Sequence, residues 1–527
     1  MLLNENDEFE KNWQEWSELE EANYTVIKDK AGREIKKKYK KKGYTHFDLR
    51  IWFPKRKEEL KALLKNQLKT HHKEHKKETW WSFRPFLKIL IKTPRYKYQE
   101  SDNSYNLETK IRPICFASHT DSLIFSFYAH VLNKKYQEYI SSKNFDECVL
   151  AYRSDLGGKC NIQFSKEVFD DVKKRGNCTA IALDIKGYFD NIDHLILKEK
   201  WNKVMGGTQI PEDHYKLYKA LTKYSYVNKS SLLRKYNNPK ENKSVKTLLD
   251  LIPGKADFEK YSRLRDDKLI TVNKGENKNR PIGIPQGSGM SAVLSNIYLL
   301  DFDREFHRKS QSEGFLYRRY CDDILLVCES SKAEELETFI IEKIKNDCLL
   351  TIQDKKVEII EFKANSKGVI RGFNKKKKRE KNIKTIDYTN EKHFYKPLQY
   401  LGFEFNGQDV LIRSSSLSRY YRKMKSRIIK TVSMAYNNKE SEKIWKAQLF
   451  EKYTHLGKRN FLAYAFKASK EVYKNSKNES KPGLNSPAIR KQLKRHFDIL
   501  LSSLQTKNRQ RFKFKSITKK TIALKKV

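Results

Sequence analysis

YCDDILLVC, residues 320–328, is the stretch on which the fold turns. Residues 324–328 form a short apolar strand, and two adjacent aspartates, Asp322 and Asp323, stand immediately before it. Turns tolerate aspartate and strands do not, so the pair marks the turn of a β-hairpin. Two carboxylates side by side in a folded core repel each other unless a cation neutralises them. A hard divalent ion with oxygen ligands is the natural neutraliser. Taken alone, the dipeptide would favour an ordinary Asp-Asp turn, so its meaning depends on the rest of the chain.

Outward from the hairpin, TAIALDI (residues 179–185) is a second short apolar run, and Asp184 stands near its end. Two strands presenting carboxylates at facing ends make a three-carboxylate site, to which the Ile185 carbonyl could add a backbone ligand. Phe189 follows five residues after Asp184, where its ring could close over the sugar of a bound nucleotide; a plain core phenylalanine is the alternative. Asp190 and Asp193 enter a helical run and read as capping or first-turn carboxylates. Between the two carboxylate strands lies PIGIPQGSGMSAVLSNIYL, residues 281–299. A Gly-rich loop running into a small-residue helix lets backbone approach a nucleotide and a template base at Gln286 and Gly287.

Composition points to a polyanionic partner. The 527 residues carry 110 Lys and Arg against 65 Asp and Glu, a formal charge of +45. Such self-repulsion is most simply relieved by nucleic acid; a merely Lys-rich proteome is the bland alternative. A hydrophobic share of 38% argues against global disorder. The seven cysteines form no C-x-x-C pair and mostly lie in apolar runs, which fits reduced thiols in a cytoplasm. No secretory leader is visible, and nothing approaches the ~18 apolar residues of a membrane span. His71, His72 and His75 could suggest a metal site, but a Lys-rich helix end without further Cys or His nearby accounts for them.

Taken together, strand-aspartate, PQG loop with helix and Tyr-x-Asp-Asp hairpin resemble the palm of reverse transcriptases over residues 80–505. RPICFASHTDSLIF (112–125), LSNIYLLDFD (294–303), YLGFEFNG (400–407) and RSSSLSRYYRKM (413–424) look most like bacterial defence-associated members, the "unknown group" and abortive-infection enzymes. The resemblance implies a two-metal polymerase using Mg²⁺, with Mn²⁺ as a substitute. Asp184 and Asp322 would hold both ions, with Asp323 and the Ile185 carbonyl assisting. One ion would activate the attacking 3′-hydroxyl and the other steady the pyrophosphate, the two typically about 3.5–4 Å apart. Phe189 matches the steric gate that selects deoxynucleotides. Gln286 and Gly287 match the palm loop beside the incoming dNTP, and Lys110 and Arg112 the cations that clamp its triphosphate. Lys356, with Lys355 as rival, matches the lysine that protonates pyrophosphate. Residues 400–403 match the hairpin that grips the primer.

The implied fold is α+β: a right hand of fingers, a palm with an antiparallel sheet and helices on one face, and a helical thumb. Residues 1–80 read as a helical and basic extension, 81–412 as fingers and palm, 413–505 as thumb and 506–527 as a poorly ordered basic tail. Residues 1–23 suggest a solvated acidic helix with Trp13, Trp16 and Leu19 on one face, followed by basic loops at 36–38 and 40–42. Residues 228–280 read as a polar insertion with mobile loops. The loop sequence SGMSA departs from intron-type relatives, which carry a proline after the first serine of the helix.

The function implied is RNA-directed DNA synthesis in antiphage defence, in the cytoplasm, on a dedicated structured non-coding RNA. A group II intron or retron enzyme, or protein-primed synthesis without a template, are alternatives within the enzyme class. A catalytically idle RNA-binding scaffold is the alternative from another class, and Phe189 opposes an RNA-dependent RNA polymerase. The amino-terminal 80 residues and the tail are candidates for RNA or homo-oligomer contacts.

Overall fold

The structure is a computed structural model, which describes the chain apart from residues 1, 29–33, 40–42, 70–81, 100–102, 237–246, 274–279, 381–393, 438–443 and 525–527. Its centre is a five-stranded antiparallel sheet in the order Ile370–Asn374, Glu358–Ala364, Cys178–Asp184, Asp323–Cys328, Leu316–Tyr320. Side chains alternate across a strand. Ile181, Leu183, Ile324 and Leu326 therefore enter one core, shared with helices His119–Ser142 and Gly289–Tyr298. Ala180, Leu325 and Val327 enter a second, shared with helix Asn161–Arg175 and the carboxy-terminal helices. Both faces of the sheet are covered, not one, which is why its strands read as unbroken apolar runs rather than as polar-apolar alternation.

A second, four-stranded sheet runs Ser104–Phe116, Phe86–Gln99, Ser225–Asn228, Ile270–Val272. The first two strands form one long hairpin, and Phe86–Gln99 pairs in parallel with Ser225–Asn228. The inserted segment 228–280 is thus more than loops. It supplies strand Ile270–Val272 and helices Lys229–Tyr236 and Asp257–Asp266, and it builds a small core of Leu232, Leu248, Leu249 and Leu264 against Leu87 and Phe47. Sparse leucines in a Lys/Asn-rich stretch hid this core, because the surface of the segment dominates its composition.

Helix Leu2–Glu21 is docked rather than solvated. Phe9, Trp13 and Trp16 pack with Phe53 and Phe127 in a buried aromatic cluster, and the Trp16 indole donates to Ser126 Oγ at 3.1 Å. Its acids face lysines: Glu8–Lys135 at 2.7 Å, Glu15–Lys134 at 3.0 Å and Glu10–Lys61 at 2.7 Å. Leu19 lies outside the cluster and is 63% exposed. Residues 36–38 belong to strand Glu34–Tyr39 rather than to a loop, while His71, His72 and His75 fall outside the described residues.

After a three-stranded meander (Leu398–Tyr400, Phe403–Phe405, Val410–Ile412), the chain is mainly helical, through Ser414–Asn437, Ala447–Tyr453, Phe461–Ser469 and Pro487–Leu493. The last helix, His496–Leu524, runs through most of the stretch expected to be poorly ordered. No helix among the described residues is long and apolar enough to cross a membrane.

Candidate active site

Strand register brings the carboxylates together. Asp184 stands directly opposite Asp323 at the end of the antiparallel pair, and the Ile185 amide donates to the Asp322 carbonyl at 3.1 Å. Tyr320 pairs with Asp323, leaving Cys321 and Asp322 as a two-residue turn in which Cys321 adopts φ 57°. A left-handed non-glycine residue costs about 1–2 kcal/mol. Buried hydrogen bonds hold the turn in place. Arg319, fully buried, donates to the Cys321 carbonyl at 3.0 Å and to Asp303 Oδ1 and Oδ2 at 2.7 and 2.5 Å. The Tyr317 hydroxyl donates to the same Asp303 at 2.7 Å, and Arg319 also reaches Asn296 Oδ1 at 3.3 Å.

These aspartates floor a cleft of about 780 Å³. Lys110 and Arg112, two apart on one strand of the long hairpin, line its wall together with Arg95 from the other strand. Burial, then Arg112, Lys356 and Arg95, push the Lys110 ammonium below its ordinary range. Burial and the cations Arg112, Arg419 and Arg413 do the same to Arg95. Asp322 is shifted up, first by burial and then by Asp184. Asp323 is exposed to the cleft, yet the protein crowded around its carboxyl, followed by the charges of Asp322 and Asp184, pushes it up to about 6. The cleft thus holds crowded anions at its floor and crowded cations above them.

Lys356 ends the short turn Asp354–Lys356, and its ammonium contacts Asp184 Oδ1. Lys355 also lines the cleft, but the ion pair to Asp184 is made by Lys356. Phe189, half-buried in helix Tyr188–Asn191, faces the cleft, and its carbonyl accepts the Ile284 amide at 2.9 Å. Gln286 lines the opposite side, with its carbonyl accepting the Cys115 amide at 2.8 Å. Gly287 has φ 117°, and a Cβ there would meet the Cys115 carbonyl oxygen and Ile114 Cγ2 at 2.9 Å each, so the loop can lie against the hairpin only as glycine. Tyr400 and Leu401 line the cleft from the hairpin turn. Asp190 sits in the first turn of Tyr188–Asn191, and Asp193 caps the next helix by accepting from the Leu195 and Ile196 amides.

Cleft residues that escaped the sequence reading include Arg95, Tyr152, Gln353, Glu358 and Gln399, while Arg413 stood only as the first residue of the phrase 413–424. They arrive from elements far apart in the chain, and no local pattern marks any of them as a cleft residue. Among the described residues no three His, Cys, Asp or Glu side chains converge as a ready ligand set, and Asp184 is turned to Lys356. The donor types still fit a hard divalent ion. Three carboxylates share one floor, two of them are raised by burial and then by the neighbouring aspartates, and a lysine ammonium already occupies the place of a cation.

A family model described as "Reverse transcriptase (RNA-dependent DNA polymerase)" matches residues 102–405. None of the curated proteins compared matches the chain. Similar solved structures include telomerase from Candida albicans in complex with a TWJ fragment of telomeric RNA, at 12% identity and TM-score 0.33 over 66% of this chain and 50% of that one. Apo telomerase from Candida tropicalis truncated from its C-terminal domain gives 13% identity and TM-score 0.37 over 74% and 64%. The Candida tropicalis enzyme with its TWJ fragment gives 12% identity and TM-score 0.35 over 84% and 56%. The chain therefore spans from half to just under two thirds of the length of these telomerases. At such scores they lend nothing to the reading of the site.

Proposed function

Because the chain belongs to the reverse transcriptase family through residues 102–405, we propose that it is an RNA-directed DNA polymerase whose nucleotidyl transfer takes place over Asp184, Asp322 and Asp323. The observation that carries this reading is the register pair Asp184–Asp323 at the floor of a cleft walled by Lys110, Arg112 and Arg95. Anions below and cations above are what a dNTP needs, with metal ions between its phosphates and the carboxylates.

Asp184, Asp322, Asp323 and the Ile185 carbonyl would hold two Mg²⁺ ions, with Mn²⁺ as a substitute, once Lys356 releases Asp184. Bound there, the ions would supply activation of the primer 3′-hydroxyl and neutralisation of the leaving pyrophosphate. The chain's own groups do the rest. Arg112, Lys110 and Arg95 grip the triphosphate by charge-assisted hydrogen bonds. Phe189 packs where a ribose 2′-hydroxyl would need room, and Gln286 and Gly287 lay the backbone against the incoming pair. Lys356, freed from Asp184, offers its Nζ proton to the departing pyrophosphate, and the Tyr400–Phe403 hairpin steadies the primer end.

The net charge of +45 supports a long RNA partner. We assign the copying to antiphage defence on a dedicated non-coding RNA, on the strength of the phrases at 112–125, 294–303, 400–407 and 413–424. Seven free cysteines, six of them buried, support a reducing cytoplasm. The test is purification of the protein from its host with sequencing of all bound RNA and DNA, beside the Asp322→Ala, Asp323→Ala double variant. The expected result is one structured RNA with complementary DNA in the wild type, and the same RNA without DNA in the variant. DNA synthesis retained by the variant would overturn the mechanism; RNA of random origin would remove the dedicated template.

A further inference from the structure

A second pocket of about 400 Å³ lies apart from the cleft and shares no lining residue with it. Its volume falls within the roughly 300–1,000 Å³ of small-ligand sites. One wall is helix Glu212–Thr222 with the residue that caps it. There Lys216, Lys219 and Lys223 recur at helical spacing around Ala220, so three ammonium groups share one face with a small side chain at its centre. The opposite wall is the start of the long hairpin, which contributes Arg84, Phe83 and Phe86.

Like charges at i, i+3 and i+4 spacing destabilise a helix, so folding gives no reason for this face. Acids stand at its margins: Glu212 lies 3.3 Å from Lys216, which Asp213 also faces, Asp48 lies 3.7 Å from the Arg84 guanidinium, and Asp121 accepts from the Arg84 amide at 3.0 Å. Lys219 extends over the Tyr215 ring at 4.5 Å. Lys223 is exposed and has no acidic partner among the described residues. Burial draws the Lys216 ammonium below its ordinary range despite Glu212, and Lys219 adds to that.

The floor is aromatic. Phe83, half-buried, stacks on Phe125 with centroids 5.0 Å apart and planes at 10°, while Phe86 meets Tyr224 edge-on at 5.7 Å. Two residues along the same strands, the Lys88 ammonium lies 4.1 Å over the Tyr226 ring. Residues two apart share a sheet face, so this cation-and-aromatic pair stands on the face of Phe86, beyond the pocket's own lining. Cations beside the half-buried Phe83 and Tyr226 rings suit a phosphate joined to a flat base.

We propose that this pocket binds one nucleotide unit, its base against Phe83 and its phosphate between Arg84, Lys219 and Lys223. That unit can come from an unpaired nucleic-acid strand or from a free nucleotide. The proposal does not rest on the polymerase reading, because nothing in it involves the aspartates.

The test uses the full chain in EDTA without dNTPs, which keeps it separate from catalysis. A single-stranded 12-nucleotide RNA containing 4-thiouridine and, separately, 8-azido-ATP are photo-crosslinked, and the modified peptides are mapped. Crosslinks are expected within residues 82–88 or 223–226. They should fall at least fivefold both in Ala220→Trp, which fills the pocket without changing charge, and in Lys219→Ala, Lys223→Ala. The lysine pair should also reduce the slope of log affinity for the RNA against log salt by about 0.7, the value for one phosphate contact on a single strand. Crosslinking by the RNA alone identifies the strand as the source, and crosslinking by 8-azido-ATP identifies the free nucleotide. Circular dichroism spectra matching the wild type establish that the variants are folded. Crosslinks that map elsewhere, or that persist in both variants, overturn the proposal.

Discussion

Asp323 has lost hydration and faces two other carboxylates, which is why its pKa rises from 3.8 to about 6. A carboxyl raised in the folded state binds its proton more tightly there. Its contribution to stability is therefore complete below about pH 4 and is lost as pH rises through about 6. Above that pH the unrelieved charge favours a metal ion, and below it a proton takes the ion's place. Mg²⁺ should thus raise the melting temperature at pH 7.5, with the shift shrinking through pH 6 and vanishing at pH 5. A shift of equal size at pH 5 would separate metal binding from Asp323. Phe189, proposed as the steric gate, is half-buried and lines the cleft five positions after Asp184. Replacing it with Ala should admit ribonucleotides, raising rNTP incorporation relative to dNTP at least tenfold in a primer-extension assay. Unchanged sugar selectivity would return Phe189 to the status of a core side chain.

At the scale of elements, the catalytic hairpin depends on what lies behind it. Its turn and both carboxylate strands were legible because apolar runs and adjacent aspartates are local signals. The brace was not legible: Arg319 reads as one polar residue in a strand, and Asp303 as one acid in a helix 16 residues earlier. Only the fold shows that they meet at zero exposure and that the guanidinium also holds the Cys321 carbonyl. Removing one member of a buried ion pair leaves the other charge stranded, at a cost of about 3–5 kcal/mol. Arg319→Met and Asp303→Leu should each lower the urea midpoint by that equivalent. The double variant should lose clearly less than the sum, since it strands neither charge. Additive losses would mean that the two side chains act independently. The segment 228–280 failed to read as structure for a related reason: its leucines are spaced by the tertiary core they fill and not by any helical or strand period.

At the scale of the whole molecule, several acids among the described residues are used to dock one element on another, against a background of excess positive charge. Glu8, Glu10 and Glu15 pair with lysines that dock the first helix, and Asp301 is held by Lys200 at 2.7 Å and Lys203 at 2.6 Å. The first helix was misread as solvated because acidity resembles solvation in a sequence. Here it is complementarity to a basic neighbour, with Trp13 and Trp16 buried beneath it. The excess of 45 positive charges is what a polyanionic partner would neutralise. A polyanion bound by that excess releases condensed counterions, so affinity must fall steeply with salt. Six to ten phosphate contacts imply a loss of about 10³–10⁵ between 50 and 200 mM salt on a duplex, and somewhat less on a single strand. Filter binding of the co-purified RNA across that range should show this dependence, and the Asp322→Ala, Asp323→Ala variant should show the same slope, because these carboxylates are proposed to hold metal ions and not the RNA backbone. A shallow slope in the wild type would mean that the surface charge is solvated and that the RNA is held by the cleft alone.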